Sequence, residues 1–581
     1  MNLINDPWIT VRRRSGIEER IRPAQMASGG EADPVVNILA PRPDFRGALY
    51  QFLIGLLQTT FAPEDIDDWK ARWDTPPTVE ELDKVFEAYA DAFELNGKGA
   101  AFMQDFDLST GEEKYKEGDV EPISALIIDF PGNEFFLKKD KLNKLCEACS
   151  AQALLSFMLN ASGSGRGHNM SVRGGGPVTT IISPLDSKGV TNSLWNKLWI
   201  NVIPNDVTKQ DVLGENSINT ILAFPWMRSG KGLTVRPNEG ASHPCQALWS
   251  MSQRVKLLFS SDAVRECDIC GCQSKVVISS LVKRPDGIDF DGLWRNQLTP
   301  YDLLADELKG KKQAIKSNVL KKGYSHWANM LLGDEQRYRS SLTVSDFYSR
   351  KYRKTSCIPA VVWCFGFDMP KNHAKAACWY ESMMPIFVRA EGQATLQNKV
   401  QPLLDVSNKA QKLLLGNVLF ALMAIKNKDG YYEVPKWYRG HGFQQKELFG
   451  KEETEILDKK GRLHETAMDS LSSIAAGFWG LSESNFYSVL SGITNSPDLE
   501  DTTLAPYYKK WLAVVKDVAL GRFDDWVIAA AIEDQNMWRV IEARENLMNG
   551  LSNAKPMQAL RDLINPQLAI KKRMAKTGKS R

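Results

Sequence analysis

Two short cysteine motifs constrain this chain more than any other feature. "LCEACS" supplies Cys146 and Cys149, and "ECDICGC" supplies Cys267, Cys270 and Cys272. A C-x-x-C knuckle lets two thiolates grip one metal from a single turn, and two knuckles complete a closed tetrahedral site. Such a site holds structure together and leaves no open position for a reactive water. Because 117 residues separate Cys149 from Cys267, a structural Zn2+ on Cys146, Cys149, Cys267 and Cys270 would staple two distant segments. Cys272 is a third candidate in the second motif, and a set of buried thiols is the alternative.

The hydrophobic pattern changes character near residue 398. Beyond it, four segments show helical spacing and length, roughly 401–427, 464–492, 502–520 and 525–549. The first keeps an apolar stripe along its whole length. Four consecutive helices of this kind most simply make an antiparallel bundle. Before residue 398 the chain mixes short strands, helices and Gly/Pro breaks. Ala125–Phe130 and Pro177–Leu185 read as strands, and residues 141–160 read as a helix leading into a glycine-rich stretch. Residues 360–367 and 374–387 read as two strands joined by "DMPKNH", a β-hairpin with an exposed tip. The expected fold class is therefore α+β: a large mixed α/β domain over 1–397 with a zinc-stapled region, then a four-helix bundle with a basic tail over 398–581.

A chain of 581 residues is too long for one core. Its net charge of only +3 excludes a polycation, so any nucleic-acid contact must come from local patches. The end of the chain, Lys571–Arg581, is one such patch, with a solvated tail as the alternative. No apolar run approaches the roughly 20 residues that span a bilayer, and the first residues lack the apolar stretch of a signal peptide. Nine cysteines, an odd number, do not make a secreted disulfide framework. A cytoplasmic protein without membrane contact is expected.

Residues 161–180, "ASGSGRGHNMSVRGGGPVTT", raise the question of a phosphate cradle. The stretch lacks the Lys-Ser/Thr of a P-loop, and "SGKGLT" has Gly232 where the hydroxyl should stand. A dinucleotide fold needs its glycines between strand and helix, whereas these follow a helix and precede a strand. "HETAM" puts Met468 where a zinc protease needs its second histidine. No carboxylate motif of a metal-dependent nuclease stands out, and covalent chemistry is not expected. What remains is a backbone-contacting element. Glycines let the main chain approach a groove or a phosphate, and Arg166 and Arg173 place charge beside those amides. A flexible surface loop is the alternative.

Several segments together resemble one family, the CasA large subunit of the type I-E CRISPR surveillance complex, Cascade. They are the opening "NLINDPWITV", "ELNGKGAAFMQ" (Glu94–Gln104), the run from Cys146 through "RGGGPVTT", and "GLW" at Gly292–Trp294. The helical C-terminal region also fits. The resemblance implies a non-enzymatic subunit that works with other Cascade subunits, crRNA, double-stranded target DNA and a recruited helicase-nuclease. It implies inspection of a short protospacer-adjacent motif (PAM) and opening of the duplex, while base pairing reads the rest.

Carried over by position, the family's glycine loop falls on Ala161, Ser162 and Gly163, with Gly163 against the PAM minor groove. The hydrogen-bond code there is nearly degenerate, so a close main chain can sense width and reject the guanine amino group. The family's wedge falls on Asn372, His373 and Ala374; a member of the family has glutamine where this chain has His373. Its minor-groove lysine falls on Pro285 by counting, which leaves Lys283 or Arg284 for that part. The loop for the guide-RNA handle would lie in 129–144, where the match is poor and no residues are assigned. A metal-dependent nucleic-acid hydrolase and a zinc-stapled scaffold that binds only proteins are the competing functions.

Overall fold

The computed structural model of the chain describes every residue except 107, 109–119, 130–140, 162–171, 187–191, 208–219, 229–233, 236–242, 285–286, 292–293, 304–312, 334–336, 353–357, 370–375, 377, 388–391, 424, 427–431, 434–464, 530–535 and 568–581. Two compact units divide it: Met1–Leu320 with Asn329–Ile386, and Lys321–Ala328 with Phe387–Arg581. Nothing in the sequence marks Lys321–Ala328 for the second unit.

The first unit is built round the helix Pro43–Thr60, buried without interruption from Gly47 to Thr59. A helix apolar on every face has no side to offer water and belongs inside a core. Pro43 suits its first turn, where an amide would find no intrahelical acceptor. In the middle of the helix, Phe52 meets Trp8, Phe93, Phe102 and Trp249 edge to face. Each such pair contributes about 0.5–1.5 kcal/mol beyond the area it buries.

Three of the unit's antiparallel sheets bear on the site. Ile9–Arg13 is flanked by Glu18–Ile21 and Val35–Ile38. Val277–Arg284 pairs with Arg254–Ser260, with Val120–Pro122 and with the short strand Leu145–Cys146. Ala360–Asp368 lies between Thr179–Pro184 and Cys378–Pro385. The expected hairpin is present, in register from Val361↔Pro385 to Asp368↔Cys378. Thr179–Pro184 is the strand read within residues 177–185.

Two local expectations need correction. Ala125–Phe130 is not a strand over its described residues, because Ile123–Leu126 forms a 3-10 helix. Ile123, Leu126 and Ile127 are buried together, at the spacing of a helical face. Asp129 beside them is held by buried Arg42 at 2.6 Å. The helix read from 141 begins only at Glu147. Cys146 keeps an extended backbone and caps the helix, its sulfur accepting the Cys149 amide at 3.5 Å.

The second unit carries the helices Gln393–Met423, Glu465–Thr494, Asp501–Ala529 and Met537–Asn553. A short fifth helix, Lys555–Ile564, follows them. Gly492 packs on Tyr507 and Gly477 on Arg522, so the second and third helices run antiparallel. Lys399 pairs with Asp501 at 2.8 Å and the Trp511 indole donates to the Leu403 carbonyl at 3.0 Å, so the first and third run parallel. The short connection 495–500 imposes the antiparallel step between the second and third helices. Tyr324 of the inserted segment is fully buried there, stacked on Phe486 at 4.3 Å and bonded to the Ser482 hydroxyl at 2.8 Å.

Candidate functional site

The sulfur atoms of Cys146, Cys149, Cys267 and Cys270 all lie within 4.8 Å of one another. Tetrahedral Zn–S bonds set sulfurs ~3.8 Å apart, and those of Cys146 and Cys270 are 3.8 Å apart. The donor set fits a closed four-sulfur metal centre. The backbone brings the two knuckles together, since Cys146 pairs with Val277 just beyond the second motif. Within that motif, Gln273↔Glu266 and Ser274↔Arg265 close a small hairpin. The Cys267 amide donates to the Cys272 carbonyl and the Gly271 amide to the Cys267 carbonyl, both at 2.9 Å.

Asp268, not anticipated from the sequence, clamps the knuckles. Its carboxylate accepts from the Asn143 amide at 2.6 Å, the Lys144 amide at 2.9 Å and the Lys144 ammonium at 2.9 Å. Partial burial opposes its ionisation, but Lys144 and the two amides hold its carboxyl below the usual range. The sulfurs differ in acidity. Cys267 is drawn down to about 6 and Cys270 further, both first by hydrogen bonds from Cys146. Cys149 is pushed up, first by its neighbour Cys146. Thiolates crowded in this way are stabilised by a cation among them.

Cys146 caps the helix Glu147–Asn160, and Ala161 ends it, its amide donating to the Phe157 carbonyl at 2.8 Å. The cysteine cluster and the start of the glycine-rich stretch thus sit at opposite ends of one helix of 14 residues, about 21 Å long at 1.5 Å per residue. Ala161 is buried. Ser162, Gly163 and Arg166 lie outside the described residues, as do Asn372, His373 and Ala374.

The described stems of the two segments converge. The Gly176 amide donates to the Asn160 carbonyl at 3.2 Å, which joins the two ends of the glycine-rich stretch. Gly176 has φ +58°, and a Cβ on it would stand 2.6 Å from the Phe367 carbonyl oxygen. Ser317 ties the same two residues, its amide donating to Gly176 O at 3.0 Å and its hydroxyl to Phe367 O. In register, Thr179 faces Phe365. The chain therefore enters Thr179–Pro184 and leaves Ala360–Asp368 at the same end of one sheet.

Lys283 lies with the entry to the stretch. Its ammonium stands over the Phe157 ring at 5.3 Å and pairs with Glu121 at 3.4 Å. Arg284, half-buried, sits opposite Arg254 in the sheet. Arg173 faces inward, only 3% exposed. Its guanidinium donates to Thr179, Thr299, Gln51 and the Leu159 carbonyl. With no carboxylate among these partners, burial draws its pKa down to about 10. Lys316 donates to the Arg173 carbonyl at 3.1 Å, and burial, then the charge of Arg173, lowers it to about 8. Arg173 thus fixes the stem of the stretch from inside; an arginine near glycines carries no sequence signal for which way it turns.

The model of one protein family, described as CRISPR-associated protein Cse1, matches residues 2–521. Among solved structures, Cse1 of Thermobifida fusca is similar at TM-score 0.63 and 15% identity, covering 96% of this chain and 98% of that one. CasA (Cse1) of Thermus thermophilus is similar at TM-score 0.61 and 13% identity, covering 95% and 99%. A chain of a CRISPR RNA-guided surveillance complex is similar at TM-score 0.62 and 15% identity, again covering 95% and 99%. Among the described residues, no helix is long and apolar enough to cross a membrane.

Proposed function

Because the chain belongs to the CRISPR-associated Cse1 family, we propose that it is the non-catalytic large subunit of a type I-E Cascade and recognises the PAM in duplex DNA. One observation carries this reading: the stem of the glycine-rich stretch and the stem of the hairpin leave one end of one sheet, tied through Gly176, Ser317 and Phe367. A reader of intact base pairs and a device that parts them must act on adjacent steps of the same duplex. That the stems of two segments about 200 residues apart in sequence meet at one sheet end supports this reading.

In this reading Ala161, Ser162 and Gly163 bring bare main chain to the minor groove, where a guanine amino group would collide with it. Lys283 supplies charge beside them, and contact with the backbone positions the duplex without reading it. Arg173 holds the stretch from within. Asn372, His373 and Ala374 then enter below the PAM, an imidazole being able to stack on or bond an unpaired base. Opening there lets crRNA pair with its target, and the assembled complex presents the displaced strand to a helicase-nuclease.

Zinc on Cys146, Cys149, Cys267 and Cys270 would be structural, replacing thiol repulsion with four bonds. The cysteines themselves fix the first turn of the helix that delivers Ala161. Gel-shift of the assembled complex on PAM-bearing and PAM-lacking duplexes, with and without this subunit, tests the function. Discrimination should vanish without the subunit. A complex lacking it that still separates the two duplexes would end the proposal.

A further inference from the structure

The four cysteines of the metal centre leave a fifth sulfur over. Cys272 lies two residues beyond Cys270, and their Sγ atoms stand 3.2 Å apart. Gly271 between them has φ +70°, a conformation that costs glycine little and brings both sulfurs to one side of the turn. Cys146, Cys149 and Cys267 are buried, whereas Cys270 is exposed and Cys272 partly so. A small oxidant arriving from water therefore meets these two first.

We propose that Cys270 and Cys272 are a modification site for hydroperoxides, a pair whose closure to a disulfide removes one ligand from the metal centre. The inference rests on the reading of the cluster as a zinc site. The Cys270 thiolate attacks one peroxide oxygen, the O–O bond breaks, and a sulfenic acid forms as hydroxide, or the alkoxide of an alkyl hydroperoxide, leaves. The Cys272 sulfur then attacks the Cys270 sulfur, an S–S bond forms, the S–O bond breaks, and the second oxygen leaves as water. Two electrons pass from the sulfur pair to the peroxide, and the protons end in water. Because an S–S bond is about 2.0 Å long, the sulfurs need little more than an ångström of approach. The three buried cysteines stay where they are, and three thiolates do not close a tetrahedral site.

The test uses the full chain purified with its metal. Hydrogen peroxide is titrated in, released zinc is read with a chromogenic chelator, and cysteine pairing is read by mass spectrometry. Zinc release should track the loss of two hydrogens from the peptide holding both residues, and dithiothreitol with added zinc should reverse it. Cys272→Ser keeps the four ligands, so it should bind zinc like the parent and release it severalfold more slowly at equal peroxide. Equal release rates, or a first disulfide between other cysteines, would overturn the proposal. A parent chain purifying without zinc would overturn the metal reading alone. The two-hydrogen loss in the parent, and its absence in Cys272→Ser, would then still decide the pair.

Discussion

Gly176 lies so close to Phe367 that a Cβ on the glycine would stand 2.6 Å from the Phe367 carbonyl oxygen. The approach joins the exit of the glycine-rich stretch to the strand that leads into the hairpin tip. Any side chain here forces the two apart, and φ +58° adds strain for a branched one. Gly176→Val should lower stability by about 1–3 kcal/mol, read by thermal unfolding. It should also weaken PAM-dependent duplex binding more than assembly with the other subunits. Binding unchanged alongside the lost stability would separate this contact from DNA recognition.

Gly163 and His373 address the two ends of the proposed sequence of events. Gly163→Leu should abolish PAM-dependent duplex binding and leave complex assembly intact. His373→Ala should spare the first encounter and slow R-loop formation, followed by permanganate reactivity of unpaired thymines. If both variants open target DNA like the parent, these residue assignments are wrong.

Lys283 stands over Phe157, next to the start of the glycine-rich stretch. If its ammonium meets the DNA backbone, Lys283→Ala should weaken binding about equally for all target sequences and reduce the salt slope by about 1. A change confined to particular PAMs would instead mean that the lysine reads base edges.

Cys149→Ser removes a buried thiol from the cysteine cluster. Metal analysis should show loss of bound zinc, and thermal unfolding a less stable fold. The lesion should extend along the helix Glu147–Asn160 and appear as faster amide exchange at its first turn. Full retention of zinc would show that another sulfur had taken the place.

Lys316 gives a pH signature. Its folded-state pKa is lowered to about 8, below the ~10.4 of an unfolded lysine. Between these values the unfolded chain binds the proton that the folded chain has released, so stability should rise with pH there. The slope should not exceed about 1.4 kcal/mol per pH unit, and below pH 8 the cost of the buried charge is fully present. Denaturant unfolding of the parent and of Lys316→Met checks this, since the variant should lose the rise. An identical profile in the variant would assign the dependence to another group.

Much of the architecture was legible because it is local. Four helices of the second unit follow in outline from apolar periodicity, though the third runs on to Ala529, the fourth begins at Met537 rather than 525 and the fifth was not foreseen; the hairpin Ala360–Asp368 with Cys378–Pro385 follows from two apolar runs around a turn. Ala125–Phe130 misled because a short apolar run can be buried as either strand or turn, and its neighbours made the choice. The cysteine motifs named their own partners, since a thiolate pair on one turn needs a second pair to complete four-sulfur coordination.

What the sequence by itself determined was which residue types could cooperate: four sulfurs for one metal, glycines for a close approach, a hairpin with a polar tip. The tertiary structure alone decided where they meet. It turned Arg173 inward, set Lys283 over Phe157 and placed Asp268 across both knuckles. Contacts between residues a hundred or more positions apart arise when a whole core closes, and no short window of sequence encodes the side to which a charged group then turns.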